Sequence, residues 1–164
     1  MDQKTKLRGR FVVEHRDVSG ELKGVYDVPN GIVDEGIHYL LNAGFGGAGA
    51  VGTWYIGLVD NSGWTAFADA DTLSSHAGWA ENTNYTEANR VTWNEAAAAT
   101  RAMTSNTTAD FSINASGNLK GIFISSNATK STGNTGTLWS TAAFSAVVAT
   151  ANGDTLKVTY TISG

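Results

Sequence analysis

The sequence predicts a mainly β protein: an antiparallel β-sandwich of jelly-roll or Ig-like type, with one short N-terminal α-helix over about residues 31–42 and an N-terminal hairpin arm. Three observations carry this expectation. From about Trp54 onward, apolar residues recur with period two, the spacing that gives a strand one buried and one wet face. Clusters of Gly, Asn, Asp and Ser punctuate these runs as turns do. From Val51 to the end the chain is nearly stripped of charge and written in Ala, Thr, Ser, Asn, Gly and aromatics, a composition suited to short strands.

Up to about Val28 the chain is dense in charge, with Arg8, Arg10, Glu14, Arg16, Asp17, Glu21, Lys23 and Asp27 interrupting short apolar stretches. Phe11 and Val13 share one strand face, Leu22, Tyr26 and Val28 another, and Ser19-Gly20 is the turn between them. Residues 1–28 are thus a polar hairpin, distinct in character from the sandwich of residues 29–164. It reads either as an edge pair blunted by charge or as an arm that docks on a larger assembly through Lys4, Lys6, Arg8 and Arg10.

Pro29-Asn30-Gly31 then breaks the strand pattern, and Ile32, Val33, Ile37, Leu40 and Leu41 follow at the spacing of one helical face. Asn30 is placed to cap this helix, Asp34 and Glu35 suit its positive end, and Gly44 suits its terminus.

Beyond it, Trp54, Ile56 and Leu58 share a face, as do Phe111 with Ile113 and Ile122 with Ile124. Leu156, Val158, Tyr160 and Ile162 alternate with Lys157, Thr159, Thr161 and Ser163. A strand of Leu138, Ala142, Phe144, Ala146 and Val148 precedes that one, joined by the hairpin signal Ala151-Asn152-Gly153-Asp154. Ser116-Gly117 similarly joins the strands around Phe111 and Phe123, and residues 131–136 read as a loop. Trp54 and Trp93 are expected in the core.

The net charge of −4 and pI near 5.2 argue against an electrostatic grip on nucleic acid or on an anionic membrane. No apolar run approaches a membrane span, and Met1-Asp2-Gln3-Lys4 lacks the apolar core of a secretory signal, so synthesis in a cytoplasm is expected. With no cysteine, disulfide and thiolate chemistry are out of reach, and robustness must come from packing or assembly.

Candidate chemistry is sparse. Gly44, Gly46 and Gly49 have the spacing of a dinucleotide fingerprint, but they follow a helix where that motif needs a strand feeding a helix N-terminus. Asp69, Asp71 and His76 invite a metal, yet no second histidine stands at ligand spacing, so no metal is expected. His15, His38 and His76 are scattered and no nucleophile elbow appears, so no catalytic residues, no enzyme and no cofactor are expected. Trp54, Tyr55, Trp64, Phe67, Trp79, Tyr85 and Trp93, set among asparagines, read first as core filling. The alternative is stacking on sugar rings by Trp64, Trp79 and Tyr85 in a tail-fibre, receptor-binding or carbohydrate-binding domain.

Asn30-Gly31-Ile32-Val33-Asp34-Glu35-Gly36-Ile37-His38-Tyr39-Leu40-Leu41-Asn42 resembles the helix that opens a family of small structural proteins of tailed bacteriophages. The stretches Thr53–Val59, Leu73–Trp79, Tyr85–Trp93 and Gly153–Thr161 agree with it in order. The resemblance runs from about residue 28 to the end. It implies a virion component without catalytic residues, on the capsid surface or in the tail. The expectation is therefore a capsid decoration, or cement, protein on the outside of the phage head. Its partners would be the major capsid protein and further copies of itself, with a homotrimer suggested by the local three-fold points of a capsid.

Overall fold

A computed structural model describes residues 6–131 and 134–164. Its elements are β1 (Arg8–Arg16), β2 (Leu22–Ile32), α1 (Asp34–Phe45), β3 (Trp54–Asp60), β4 (Glu81–Asn82), β5 (Val91–Trp93), β6 (Ala102–Thr104), β7 (Ala109–Ser112), β8 (Gly117–Ser125), β9 (Leu138–Thr150) and β10 (Thr155–Ser163). The strands form one curled antiparallel sheet in the order β4-β3-β8-β9-β2-β1-β10-β6, with β5 also on β3 and β7 also on β10. The protein is mainly β with one short helix, as the composition and periodicity predict.

The curl makes two layers. Between Leu22 and Asn30, β2 pairs with β1, and only Gly31 and Ile32 at its far end pair with β9. One layer is therefore β2, β1, β10, β6 and β7; the other is β9, β8, β3, β4 and β5. Between them lies the main core, where Phe11, Val13, Val158 and Tyr160 meet Ile56, Leu58, Ile122, Ile124 and Phe144.

A second, smaller core lies on the opposite face of the β3–β8–β9 layer. There Trp79 and Leu73, with half-buried Trp64 and Phe67, cover Val59, Phe123 and Leu138. Being covered on both faces explains why Ile56–Val59 and Gly121–Ser125 are buried without interruption, where a one-sided strand would alternate. Gly57 is required here, since a Cβ on it would sit 2.3 Å from the Phe123 ring.

Four expectations need correction. The N-terminal hairpin is not an edge pair: β1 is paired on both sides, to β10 from Arg8 to Arg16 and to β2. Its charged residues occupy the wet face of an interior strand while Phe11 and Val13 enter the core. Pro29-Asn30-Gly31 does not end the strand, because β1 and then β9 hold it in register, and β2 runs across the position expected to divide hairpin from sandwich. The helix accordingly starts at Asp34 and runs to Phe45; Val33 takes the N-cap position with no side-chain cap, and Gly46 takes the C-cap. Finally, the turns at 151–154 and 116–117 are real but join no hairpins: β9 pairs with β8 and β2, β10 with β1, β6 and β7, so each turn carries the chain from one layer to the other. Gly153 supplies the left-handed conformation at the first of them, with φ +92°.

Candidate functional site

Of the expected docking residues, Lys4 lies outside the described residues, whereas Lys6, Arg8 and Arg10 are exposed. Lys6 and Arg8 line an open groove of about 840 Å³ with Pro29, Asn30, Asp34 and Asp69, so basic and acidic groups face the same space. Arg10 instead forms a two-pronged ion pair with Asp27 across β1 and β2. The bond and the opposite charge hold the Arg10 guanidinium above, and the Asp27 carboxyl below, their ordinary values.

The aromatic set separates by burial. Trp93 is buried, and Trp54 is half-buried, its ring 5.2 Å from Tyr39 and 5.9 Å from Trp139. Trp79 is sandwiched, with His76 stacked at 3.8 Å and Phe123 at 5.1 Å, and its Nε1 donates to Asp71 at 3.0 Å. Tyr85 packs edge-on against Phe111 and beneath Lys130 Nζ, and burial pushes its phenol well above the ordinary range. Neither ring has a free face for a sugar, which leaves Trp64, half-buried, of the three expected stacking residues.

Asp69, Asp71 and His76 do not converge on an ion. Asp69 is exposed, Asp71 accepts from Ala68 N and Trp79 Nε1, and His76 Nδ1 lies 3.1 Å from the Trp79 carbonyl. Among the described residues no group of three or more His, Cys, Asp or Glu could hold a metal ion.

Two buried polar clusters escape sequence reasoning. In the first, one oxygen of Asp154, on the β9–β10 turn, lies 2.7 Å from His15 Nε2 and accepts from Lys23 Nζ at 2.7 Å and Ala151 N at 2.9 Å. Burial pushes the Asp154 carboxyl up, but Lys23, the Ala151 N–H and His15 outweigh it and hold the group at about 2. His15 Nδ1 is buried without a hydrogen-bond partner. In the second, Arg90 donates to both oxygens of Glu81 at 2.9 Å, reaches the Asn127 carbonyl at 2.9 Å, and lies 5.1 Å over the Phe123 ring. It borders a polar cavity of about 290 Å³ with His76, Thr83 and Ser131. Their only sequence signals are a charged residue next to a turn glycine, Gly153-Asp154, and a lone arginine in a nearly uncharged stretch.

The remaining feature is apolar and exposed. Helix α1 buries Gly36 against β9, where a Cβ would sit 2.4 Å from the Trp139 carbonyl oxygen. Its other side shows Phe45 at 91% exposure, Leu41 at 51% and Leu40 at 43%. Beside it opens an apolar cavity of about 310 Å³ lined by Tyr39, Leu40, Trp54, Met103, Trp139 and Ile162. Val51 N donates to Tyr39 Oη at 2.7 Å and so pins the loop after the helix over that cavity's rim.

No family model matches the chain, and no curated protein matches it. No helix among the described residues is long and apolar enough to cross a membrane.

Proposed function

We propose that this protein is a structural component of a bacteriophage virion, a decoration protein that binds the outer surface of the head and strengthens the shell by adhesion. The observation that carries this reading is the ordered resemblance of five sequence blocks, Asn30–Asn42 through Gly153–Thr161, to small structural proteins of tailed phages. The blocks fall on α1, β3, the segment that builds the second core, β5 and β10, so the resemblance follows the scaffold and is not confined to one turn.

Adhesion stabilises by linkage: a protein that binds the assembled shell and not its separated subunits shifts the equilibrium toward the shell, and many modest contacts add. The outer face of β2, β1, β10, β6 and β7 is suited to it, a surface of cross-strand charges and threonines including Arg10–Asp27, Lys157–Asp110 and Thr104–Thr161. Such a face sets register on a partner more than affinity. Burial of Trp79 and Tyr85 leaves Trp64 alone of the three residues a glycan-reading tail domain would use, which supports decoration over that reading.

The test is to mix purified protein with undecorated heads, sediment them, and count bound copies by quantitative gel staining. Hundreds of copies per head and a higher disruption temperature are expected. No cosedimentation, or a few tens of copies confined to a tail, overturns the proposal.

A further inference from the structure

We propose that the hollow beside α1 is an aromatic box for a cation, and that it takes a methylated ammonium group of the trimethylammonium class that choline carries. The site is independent of the phage-head reading and stands or falls by ligand binding alone.

The lining combines ring surface with one anion. Tyr39 from α1, Trp54 from β3, Trp93 from β5 and Trp139 from β9 enclose about 310 Å³ together with Met103, and Glu95 completes the wall. The rings are not stacked flat on one another. Tyr39 stands edge-on to Trp54, at 79°, and Trp54 meets Trp139 at 57°, so the three turn their faces in different directions, as the walls of a box do. Their polar ends are engaged elsewhere. Trp139 Nε1 donates to Tyr160 Oη at 3.1 Å, Trp93 Nε1 donates to Ser105 Oγ at 3.0 Å, and Val51 N donates to Tyr39 Oη at 2.7 Å. These bonds fix three walls before any ligand arrives, and they withdraw the Trp93 and Trp139 donors from the cavity.

Glu95 supplies the charge. It lies two residues beyond Trp93, so extended backbone directs both side chains to one side, and its bridge to Ser105 holds this stretch in strand-like pairing. The residue is exposed, and among the described residues its carboxylate has no ion-pair partner. A fixed, unneutralised anion thus stands beside a set of π faces, each of which is itself electronegative.

This lining selects its ligand by chemistry. An anion is repelled by Glu95 and by the ring faces, and a sugar needs hydrogen-bond partners that Trp93 and Trp139 do not offer. A primary ammonium brings three N–H donors and a tightly held water shell, which one carboxylate replaces in part. Three methyl groups remove those donors and spread the positive charge over an apolar skin, so the group loses little on leaving water. Ring faces and the Met103 sulfur then meet it by cation–π attraction and dispersion. The volume lies at the low end of the range for small-ligand pockets, which suits a headgroup on a short tether. The net charge of −4 favours the approach of a cation.

The test is calorimetric titration of the full chain with choline and with tetramethylammonium, read in parallel by tryptophan fluorescence. Both should bind saturably at a single site, with a Kd between about 10 μM and 10 mM. Dimethylbutanol, in which a neutral carbon replaces the nitrogen of choline, and ethanolamine, which lacks the methyl groups, should each bind at least about tenfold more weakly. Trp54→Leu keeps an apolar wall but removes a π face, and should weaken choline about tenfold. Glu95→Gln, at an exposed position that leaves folding intact, should weaken it about three- to tenfold and flatten its salt dependence. Should Trp54→Leu fail to fold by circular dichroism, Glu95→Gln and the neutral alcohol on the wild type decide. Absence of saturable choline binding up to about 50 mM, equal binding of the neutral alcohol, or choline binding unmoved by the substitutions that fold would each overturn the proposal. A free molecule and a lipid headgroup present the same trimethylammonium. Cosedimentation with phosphatidylcholine vesicles that free choline displaces identifies the headgroup, choline binding without vesicle binding identifies the free molecule, and both support the site. Failure to bind phage heads with choline binding intact strikes the functional reading alone.

Discussion

Replacing Asp154 tests whether the buried His15–Asp154–Lys23 cluster stabilises the fold or merely occupies it. Its carboxyl sits at about 2 against an ordinary 3.8, which corresponds to about 2–3 kcal/mol of native-state preference for the ionised form. Asp154→Asn keeps an oxygen where His15, Lys23 and Ala151 N converge but removes the charge, so it should cost about 2–3 kcal/mol at pH 7. Asp154→Ala also leaves Lys23 and His15 without their acceptor and should cost about 3–5 kcal/mol.

The pH dependence carries the sign. A depressed carboxyl contributes its stability in full above the unfolded value and loses it as pH falls through the folded value. The gap between wild type and Asp154→Asn should therefore be constant from pH 7 to about 5 and close between about 4 and 2. Urea unfolding of both proteins across that range measures the gap directly, and taking the difference cancels the other carboxylates. A gap absent at pH 7, or one unchanged down to pH 2, refutes the reasoning.

Four further outcomes follow from the contacts. Gly36→Ala drives a Cβ into the Trp139 carbonyl and should lift α1 off β9, at a cost of about 1–3 kcal/mol, visible as altered tryptophan fluorescence because Trp139 lines the adjoining cavity. Tyr160→Phe removes the hydroxyl that accepts from Trp139 Nε1 at 3.1 Å and Asn30 Nδ2 at 3.3 Å, and should cost about 1–3 kcal/mol in denaturant unfolding by leaving a buried indole N–H unpaired. Trp79→Ala should cost about 3–5 kcal/mol by emptying the second core, while Arg10→Ala, in a solvated pair, should leave the thermal midpoint unchanged in calorimetry.

The class of fold was legible because period two is a local signal. Leu156, Val158 and Tyr160 announce their strand wherever it pairs, and Gly20 and Gly153 announce their turns. What pairs with what is not local. β10 lies beside β1, some 140 residues away in sequence, and not beside β9, which it follows directly. The same non-locality hid the helix boundary: Pro29-Asn30-Gly31 would end an isolated strand, and only the ladders from Gly9, Arg10 and Thr141 carry β2 through it. Two-sided burial of β3 and β8 was hidden too: Trp64, Phe67 and Trp79 read as core filling, but nothing local says that they cover the outer face of those strands.

A strand as rich in alanine, threonine and serine as β9 faces a difficulty that the buried polar groups help to resolve. Slipping such a strand by one residue exchanges small side chains for small side chains, so packing alone specifies register weakly. Four of the buried or half-buried polar residues each tie segments far apart in sequence. Asp154 joins the β9–β10 turn to β1 and β2; Tyr160 joins β10 to Trp139; Glu35 accepts from Leu73 N and Leu138 N; Glu81 holds Arg90 and Ser131 N. A slip would leave each of these groups buried without its partner, a penalty that falls on the misregistered states and not on the native one. Asp154 and Glu81, two of the charges retained beyond Val51, thus act on register as well as on stability. On this argument the Asp154→Asn and Tyr160→Phe variants should lose unfolding cooperativity as well as stability.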